Sequence, residues 1–295
     1  MRITSTMMME ATLRNIETNQ QRTEDLQAQI TSGSRITKPS DDPIGAAQAL
    51  QLQHTLDATK QYATNLDQAT SWLDLTDSAL GGVTQALQRT NELAVQAANG
   101  TLGPTELNAI ASEVSSLQQH VLDVSHTQYG SYYIFAGTKS DQPGYIQAAS
   151  SATTPGAYQG NSQPVQLAVA QGVSMAVNAD AQATFNPVFD AYTTLLNGLQ
   201  TQNQAVIQSS LAKISQAIDA VNLSRAQTGA KSNRVQLLQQ QQSAAQTRLS
   251  GQLSNVKDVD MAEAITNFSM AQSVLQASLK AGAQALQPSL LDYLH

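Results

Sequence analysis

Apolar residues recur at three- and four-residue steps over most of this chain, a spacing that predicts amphipathic helices. In residues 3–32 the stripe is weak, because polar side chains interrupt it at Gln20, Thr23 and Gln27. Its apolar members are Met9, Leu13, Ile16, Leu26 and Ile30. So little apolar area predicts a first helix that is only marginally stable without a partner.

The pattern strengthens from Pro43 onward, where a seven-residue repeat appears. Its members are Leu52, Leu66, Leu73, Leu80 and Leu87, with Thr59 at the remaining position. Such a repeat favours long helices that pack at shallow angles. Gly81–Gly82 lies within it and predicts a kink or a frayed turn. The segment Asn99–Pro104 then ends the helix, and Pro104 is placed to open the next one, which ends by Gly130.

The middle of the chain has a different pattern. Ser131–Gly137 changes to aromatic and β-branched residues, which are typical of a strand. In residues 164–180 short alternating runs on either side of Gln171–Gly172 predict a β-hairpin. The apolar positions of the two runs are Val165, Leu167 and Val169, then Val173, Met175 and Val177. Helical spacing returns after Asn186–Pro187.

The last segment again carries apolar residues on one helical face: Met261, Ile265, Phe268, Leu275, Leu279 and Leu286. Both chain ends therefore predict amphipathic helices without a local partner, which would bury their stripes against each other or against another subunit. The predicted fold is mainly α. It is a long helical bundle made from residues 1–136 and 187–295, with a small β-rich insert at residues 137–186.

Composition limits the function. Charged residues make up 13% of the chain, about half the usual share of roughly 25%. Such a weakly charged surface suits close packing against copies or relatives of the same chain. The net charge of −7 argues against binding nucleic acid, which attracts basic surfaces. No apolar run approaches the roughly 20 residues that cross a bilayer, so membrane insertion is not expected.

The connection "TSGSRITKPSDDPIGAA", residues 31–47, is rich in charge for so weakly charged a chain. Gly33 stands where a helix ends in a left-handed residue, and Asp42–Pro43 is a favourable helix start. Asp41 and Asp42 also suit the positive end of a helix dipole. Capping leaves Arg35 and Lys38 unexplained.

This connection resembles the "SGxRIxxxxDDxxG" signature of bacterial flagellins and of the related hook-associated proteins of the hook–filament junction. The likeness extends to "GAKSNRVQ", residues 229–236, and to "SNVKDVDMAEAITNFSMAQSVLQASL" near the C-terminus. It covers roughly residues 1–136 and 187–295. Within the family, the prolines of "PSDDP" and the ending "PSLLDYLH" favour a junction protein over a filament flagellin.

The resemblance implies a structural subunit of the bacterial flagellum, outside the cell. It would be exported through the flagellar export apparatus without a cleaved signal peptide. Its terminal helices, about residues 1–40 and 255–295, would be disordered in the monomer and form a coiled coil on assembly. The subunit would join the neighbouring hook-associated junction protein to the first flagellin layer and associate with itself in a ring.

The resemblance also implies two sets of functional residues. Assembly contacts are expected at Arg35, Asp41, Asp42, Asn233 and Arg234. A cytosolic export chaperone is expected to cover the C-terminal stripe at Ile265, Phe268, Leu275 and Leu279 before export, as a helix lying in a groove.

Catalytic chemistry is not expected. The chain has no cysteine, its four histidines show no metal-ligand spacing, and nucleophile and phosphate-loop motifs are absent. The sequence therefore predicts neither an enzyme nor a cofactor. Two alternatives to the junction subunit stay open: a short filament flagellin, and a secreted binding module whose β insert recognises a ligand.

Overall fold

The computed structural model describes residues 5–146 and 157–285. These ranges hold six α-helices and two small antiparallel sheets of two strands each. The helices are α1 (Ser5–Ser32), α2 (Pro43–Ala98), α3 (Pro104–Ser125), α4 (Ala181–Gln200), α5 (Gln204–Lys257) and α6 (Met261–Ala285). The strands are β1 (Gln128–Tyr129), β2 (Tyr132–Tyr133), β3 (Gln166–Ala170) and β4 (Val173–Ala176). The prediction of a mainly α fold with a small β region is confirmed.

The chain divides into two compact units. The central unit is Thr59–Ala244, and the terminal unit comprises the described residues up to Ala58 and from Ala245 onward. Helices α2 and α5 each contribute residues to both units. These two units are defined by spatial compactness. The β insert predicted at residues 137–186 was defined by its sequence pattern, so it is a smaller segment within the central unit.

The core of the central unit is built on the seven-residue repeat of α2. Leu66, Leu73, Leu80 and Leu87 are all buried, as the repeat predicts. They pack with buried residues of α3, α4 and α5 in one apolar cluster. The helix continues through Gly81–Gly82, so the frayed turn that this pair could have caused is not present. The repeat thus supplies the burial that a weakly amphipathic helix needs.

The predicted hairpin is present. Strands β3 and β4 pair antiparallel, and Gly172 turns between them with φ of 70°, a conformation that glycine adopts without strain. Helix side chains satisfy carbonyls of β3: the Asn65 amide donates to Ala168 O at 2.7 Å, and the Gln242 amide donates to Val169 O at 3.1 Å. Side-chain amides of α2 and α5 thereby fix the position of this strand.

Two boundaries differ from the predictions. The strand expected over Ser131–Gly137 is limited to Tyr132–Tyr133, because Ile134 and Phe135 turn into the apolar core. Helix α4 begins at Ala181, earlier than expected after Asn186–Pro187. The Asp180 carboxylate caps it by accepting from Ala183 N at 3.2 Å, and the buried residues on both sides of Pro187 hold the proline within the helix.

Candidate assembly surfaces

Helices α1 and α6 pair antiparallel within the terminal unit. The Asn19 amide donates to Ser278 Oγ at 2.8 Å, and the Ser34 backbone pairs with that of Asp258. Gly282 lies so close to α1 that a methyl group in its place would come within 3.0 Å of the Ile16 side chain. The two terminal helices therefore pack against each other within this chain, which is one of the two arrangements expected from the sequence, although only part of each predicted stripe is buried.

The face that α1 buries is more polar than the sequence predicted. Met9 and Leu13 were assigned to the buried stripe, but they are 44% and 46% exposed. The buried or half-buried positions are Thr12, Ile16, Asn19, Thr23, Leu26 and Ile30, together with Gln29 beside the last of them. Thr23 does not weaken this face, because its hydroxyl is satisfied by Asn19 O at 2.8 Å. The buried line still alternates four- and three-residue steps.

The partner face of α6 has the same spacing and alternates small with large apolar side chains before ending in two small residues: Ala264, Phe268, Ala271, Leu275, Ser278 and Gly282. The predicted C-terminal stripe is consequently split. Phe268 and Leu275 are half-buried on this face, whereas Ile265 and Leu279 are each 50% exposed. Leu286 lies outside the described residues.

The connection after α1 is held by backbone contacts with the end of α5. Gly33 has φ of 67°, as expected for a residue that ends a helix, and its carbonyl accepts from Val259 N at 3.1 Å. Arg35 N donates to Lys257 O at 2.7 Å, and Ser34 Oγ donates to the same carbonyl at 3.2 Å. These bonds satisfy backbone groups at the end of α5 that the helix itself leaves free.

The Arg35 side chain joins three parts of the terminal unit. Its Nη2 lies 3.0 Å from Asp42 Oδ2 and donates to Val256 O, also at 3.0 Å. Arg35 therefore places a positive charge at the C-terminal end of α5, where the helix dipole favours it, and links that end to the start of α2.

The two adjacent carboxylates have separate roles. Asp42 Oδ1 caps α2 by accepting from Gly45 N at 2.9 Å, and this bond, together with Arg35, lowers the pKa of Asp42. Asp41 instead accepts from Lys38 N at 2.8 Å and Thr37 N at 3.1 Å, and these bonds lower its pKa. Asp41 thus shapes the loop, while Asp42 starts the helix.

Asn233 and Arg234 lie in the central unit and are both exposed. Among the described residues neither side chain has a hydrogen-bond or ion-pair partner. One turn further along α5, Leu237 is 55% exposed, whereas Val235 is buried in the core. Asn233, Arg234 and Leu237 form a solvent-facing patch that keeps its polar and apolar groups available.

The capping role of one residue, Asp260, was not predicted from the sequence. Asp260 caps α6, where its carboxylate accepts from Ala262 N at 2.9 Å and Glu263 N at 3.2 Å. The signal was present, because an aspartate followed three residues later by Glu263 is a typical helix start. No comparable sequence pattern marks the backbone bonds of Ser34 and Lys257, because their partners are far away in the chain.

In the part of the chain that the structure describes, acidic and histidine side chains nowhere gather in a group able to hold a metal ion.

Within the same ranges, no helix combines the length and apolar character needed to cross a membrane.

Comparison with known protein families agrees with the helical termini. Residues 3–140 match the bacterial flagellin N-terminal helical region, and residues 211–294 match the bacterial flagellin C-terminal helical region. The chain belongs to the bacterial flagellin family. Flagellin-family proteins are structural components of the bacterial flagellum, which confirms the expectation of a structural protein rather than an enzyme.

Individual relatives cover nearly the whole of this flagellin-family chain. It is 28% identical to flagellar hook-associated protein 3 of Salmonella typhimurium, with 95% of each chain covered. It is 27% identical to the flagellin of Bacillus subtilis, over 94% of this chain and 93% of the relative.

Solved structures share the fold. The putative flagellar hook-associated protein of Vibrio parahaemolyticus has a TM-score of 0.68 at 22% identity, covering 74% of this chain and 100% of that one. Bacillus cereus FlgL has a TM-score of 0.60 at 22% identity, covering 69% of this chain and 99% of that one.

Proposed function

We propose that this protein is a structural subunit of the hook–filament junction, joining the hook-side junction protein to the first flagellin layer through its terminal helices. The observation that carries the proposal is the similarity to flagellar hook-associated protein 3. Both the Salmonella typhimurium protein and the Escherichia coli protein match across 95% of this chain, at 28% and 27% identity. The protein is then extracellular, after export without a cleaved signal peptide.

Exposed apolar side chains in the terminal unit support an assembly role. They belong to three helices: Met7, Met8 and Leu13 on α1, Ile44 and Leu50 on α2, and Ile265, Met270 and Leu279 on α6. Ile44 is 82% exposed, although it stands directly after the capped start of α2. Apolar side chains exposed on the faces of these helices suit a surface that subunits of a ring would cover.

The five proposed assembly contacts divide by structural role. Arg35, Asp41 and Asp42 already bind partners inside the chain, so we assign them to holding the loop in a form that a neighbouring subunit recognises. Asn233 and Arg234 are exposed and lack side-chain partners among the described residues, so we assign them to direct contacts.

Variants separate these roles. We expect Arg35→Ala to slow assembly onto hooks and also to increase hydrogen exchange of the loop amides, because it removes bonds to Asp42 and Val256. We expect Arg234→Ala to slow assembly with the loop amides unchanged. Lys139→Ala removes an exposed cation elsewhere and is the matched control. Assembly at the wild-type rate in both Arg variants would contradict the assignment.

We further propose that an export chaperone binds the C-terminal stripe before export. Ile265 and Leu279 are available in the described structure, while Phe268 and Leu275 become available only if α6 leaves α1. We propose that α6 leaves α1 before export and pairs with it again on assembly, as segments that fold on binding do. Retention of chaperone binding by a chain truncated before residue 265 would refute this assignment.

A short filament flagellin is the second candidate, because flagellins such as that of Bacillus subtilis match at similar identity. Electron microscopy of the purified protein with isolated hooks and with filament seeds distinguishes the two. A junction subunit adds a short layer to the hook, and further growth then requires flagellin. Long tubes grown from this protein alone would show a filament flagellin, and association with neither would exclude both.

A further inference from the structure

The chain contains two Asn–Gly pairs, Asn99–Gly100 and Asn197–Gly198, which lie in different surroundings. An asparagine followed by glycine can modify itself, because glycine has no side chain to keep its backbone nitrogen away from the asparagine amide. The reaction needs no enzyme. It needs a backbone N–H that is not hydrogen-bonded and a main chain that can bend, so the local structure decides which pair reacts.

The first pair lies in the turn between α2 and α3, and both of its residues are exposed. Gly100 has a φ of 69°, a conformation outside helix and strand geometry. Among the described residues, neither the Gly100 N–H nor the Asn99 side chain has a hydrogen-bond partner. Both reacting groups are therefore free, in a turn outside the regular elements.

The second pair is held inside α4. Gly198 is buried, and helix geometry binds its N–H to the carbonyl four residues earlier. A methyl group in place of its hydrogen would come within 2.9 Å of Ile207 N, so the start of α5 packs closely against it. The Asn197 carbonyl accepts from Thr201 N at 2.9 Å. Ring closure at Asn197 would break these contacts, so the fold protects this pair.

We propose that Asn99 deamidates spontaneously in the folded protein. The Gly100 nitrogen loses its proton to water and bonds to Asn99 Cγ, and Nδ2 leaves as ammonia after taking up a proton, which gives a cyclic imide. One water molecule then opens the imide. Breaking the bond between Cγ and the nitrogen gives aspartate. Breaking the bond between the main-chain carbonyl carbon and the nitrogen gives isoaspartate, in which the main chain runs through Cγ.

The products would alter the end of α2. The side-chain amide of Gln204, the first residue of α5, donates to Ala98 O and Ala97 O at that end. A carboxylate at position 99 would follow these carbonyls directly, where the helix dipole disfavours negative charge. Isoaspartate would also lengthen the main chain by one methylene group beside Gly100. Deamidation thus weakens a link between α2 and α5 inside the central unit, whatever the role of the protein at the junction.

The test follows both pairs in the full-length protein, kept folded in mildly alkaline buffer. Digested samples are analysed by mass spectrometry over time, and isoaspartate is measured with an isoaspartyl methyltransferase. We expect the native protein to lose the Asn99 amide and to retain the Asn197 amide. In urea both pairs should react, because unfolding removes the helix around Asn197.

Variants locate the reaction. Asn99→Gln should abolish isoaspartate formation in the native protein, because glutamine would have to close a larger and much slower ring. Asn197→Gln, the same change at the protected pair, should leave the native yield unchanged. Circular dichroism checks that both variants fold. After conversion of the wild-type protein, hydrogen exchange in the last turn of α2 should be faster than in Asn99→Gln.

Two results would overturn the proposal. One is an Asn99 amide that survives in the native protein for as long as the chain in urea takes to react. The other is loss of the Asn197 amide from the native protein as fast as loss of the Asn99 amide, since the fold would then not select between the pairs.

Discussion

Replacing Gln118 by methionine should stabilise the central unit. Gln118 lies on the buried face of α3 and is only 2% exposed, and neither its Nε2 nor its Oε1 has a hydrogen-bond partner among the described residues. An unsatisfied buried amide costs about 1–3 kcal/mol. Methionine has nearly the same length and helix propensity, and it buries apolar area instead. We expect a gain of about 1–2 kcal/mol in the free energy of unfolding.

The assay is thermal unfolding followed by tryptophan fluorescence, because the single tryptophan, Trp72, reports on the central unit alone. For a unit of this size the gain corresponds to a rise of about 2–8 °C in Tm. The control is Gln88→Met, the same change at an exposed position of α2, which should shift Tm by no more than about 1–2 °C. A Gln118→Met variant that unfolds no higher than the control would refute the reasoning and indicate a partner for the amide.

Two further predictions concern the terminal unit. Gly33→Ala should destabilise this unit by about 1 kcal/mol, because a φ of 67° strains alanine even where there is space for its side chain. Gly251→Ala, inside α5, should instead stabilise it by about 1 kcal/mol, because alanine favours a helix more than glycine does. Urea unfolding followed by circular dichroism measures both changes in the free energy of unfolding. Bonds to Gly45 and Arg35 lower the pKa of Asp42 below its usual value of 3.8. The ionised Asp42 carboxylate therefore stabilises the folded state fully above pH 3.8, and this stabilisation is lost as the pH falls through the lowered pKa. Stability should therefore decline less below pH 4 in Asp42→Asn than in the wild type, and parallel acid unfolding curves would contradict this.

Features that depend on a few consecutive residues could be predicted from the sequence. Gly33 ends α1, Asp42–Pro43 starts α2, and Gly172 turns the hairpin, because each conformation is set by local backbone and capping preferences. Burial of the leucine repeat of α2 could be predicted in the same way, because it follows from the spacing of the leucines along the helix.

Features that depend on distant parts of the chain were predicted less well. The stripe expected on α1 included Met9 and Leu13, because apolar character alone did not show that Asn19 would find a polar partner, Ser278, on the buried face. The position of Pro187 within α4 likewise depends on burial of the residues around it.

The site residues show the same limit. Family resemblance selected Arg35, but the role of its guanidinium at Val256 O depends on a residue more than two hundred positions away.

The single amide–hydroxyl pair between Asn19 and Ser278 has a consequence for alignment of the terminal helices. Both paired faces repeat every seven residues, so sliding one helix past the other by seven residues would again match small and apolar positions. That slip would move the helices by about 10 Å along their axis and leave the Asn19 amide opposite a position such as Ala271, which offers no side-chain acceptor. Loss of this hydrogen bond disfavours the slipped pairing by about 1 kcal/mol, so the Asn19–Ser278 contact favours one register together with the backbone bonds of Gly33, Ser34 and Arg35.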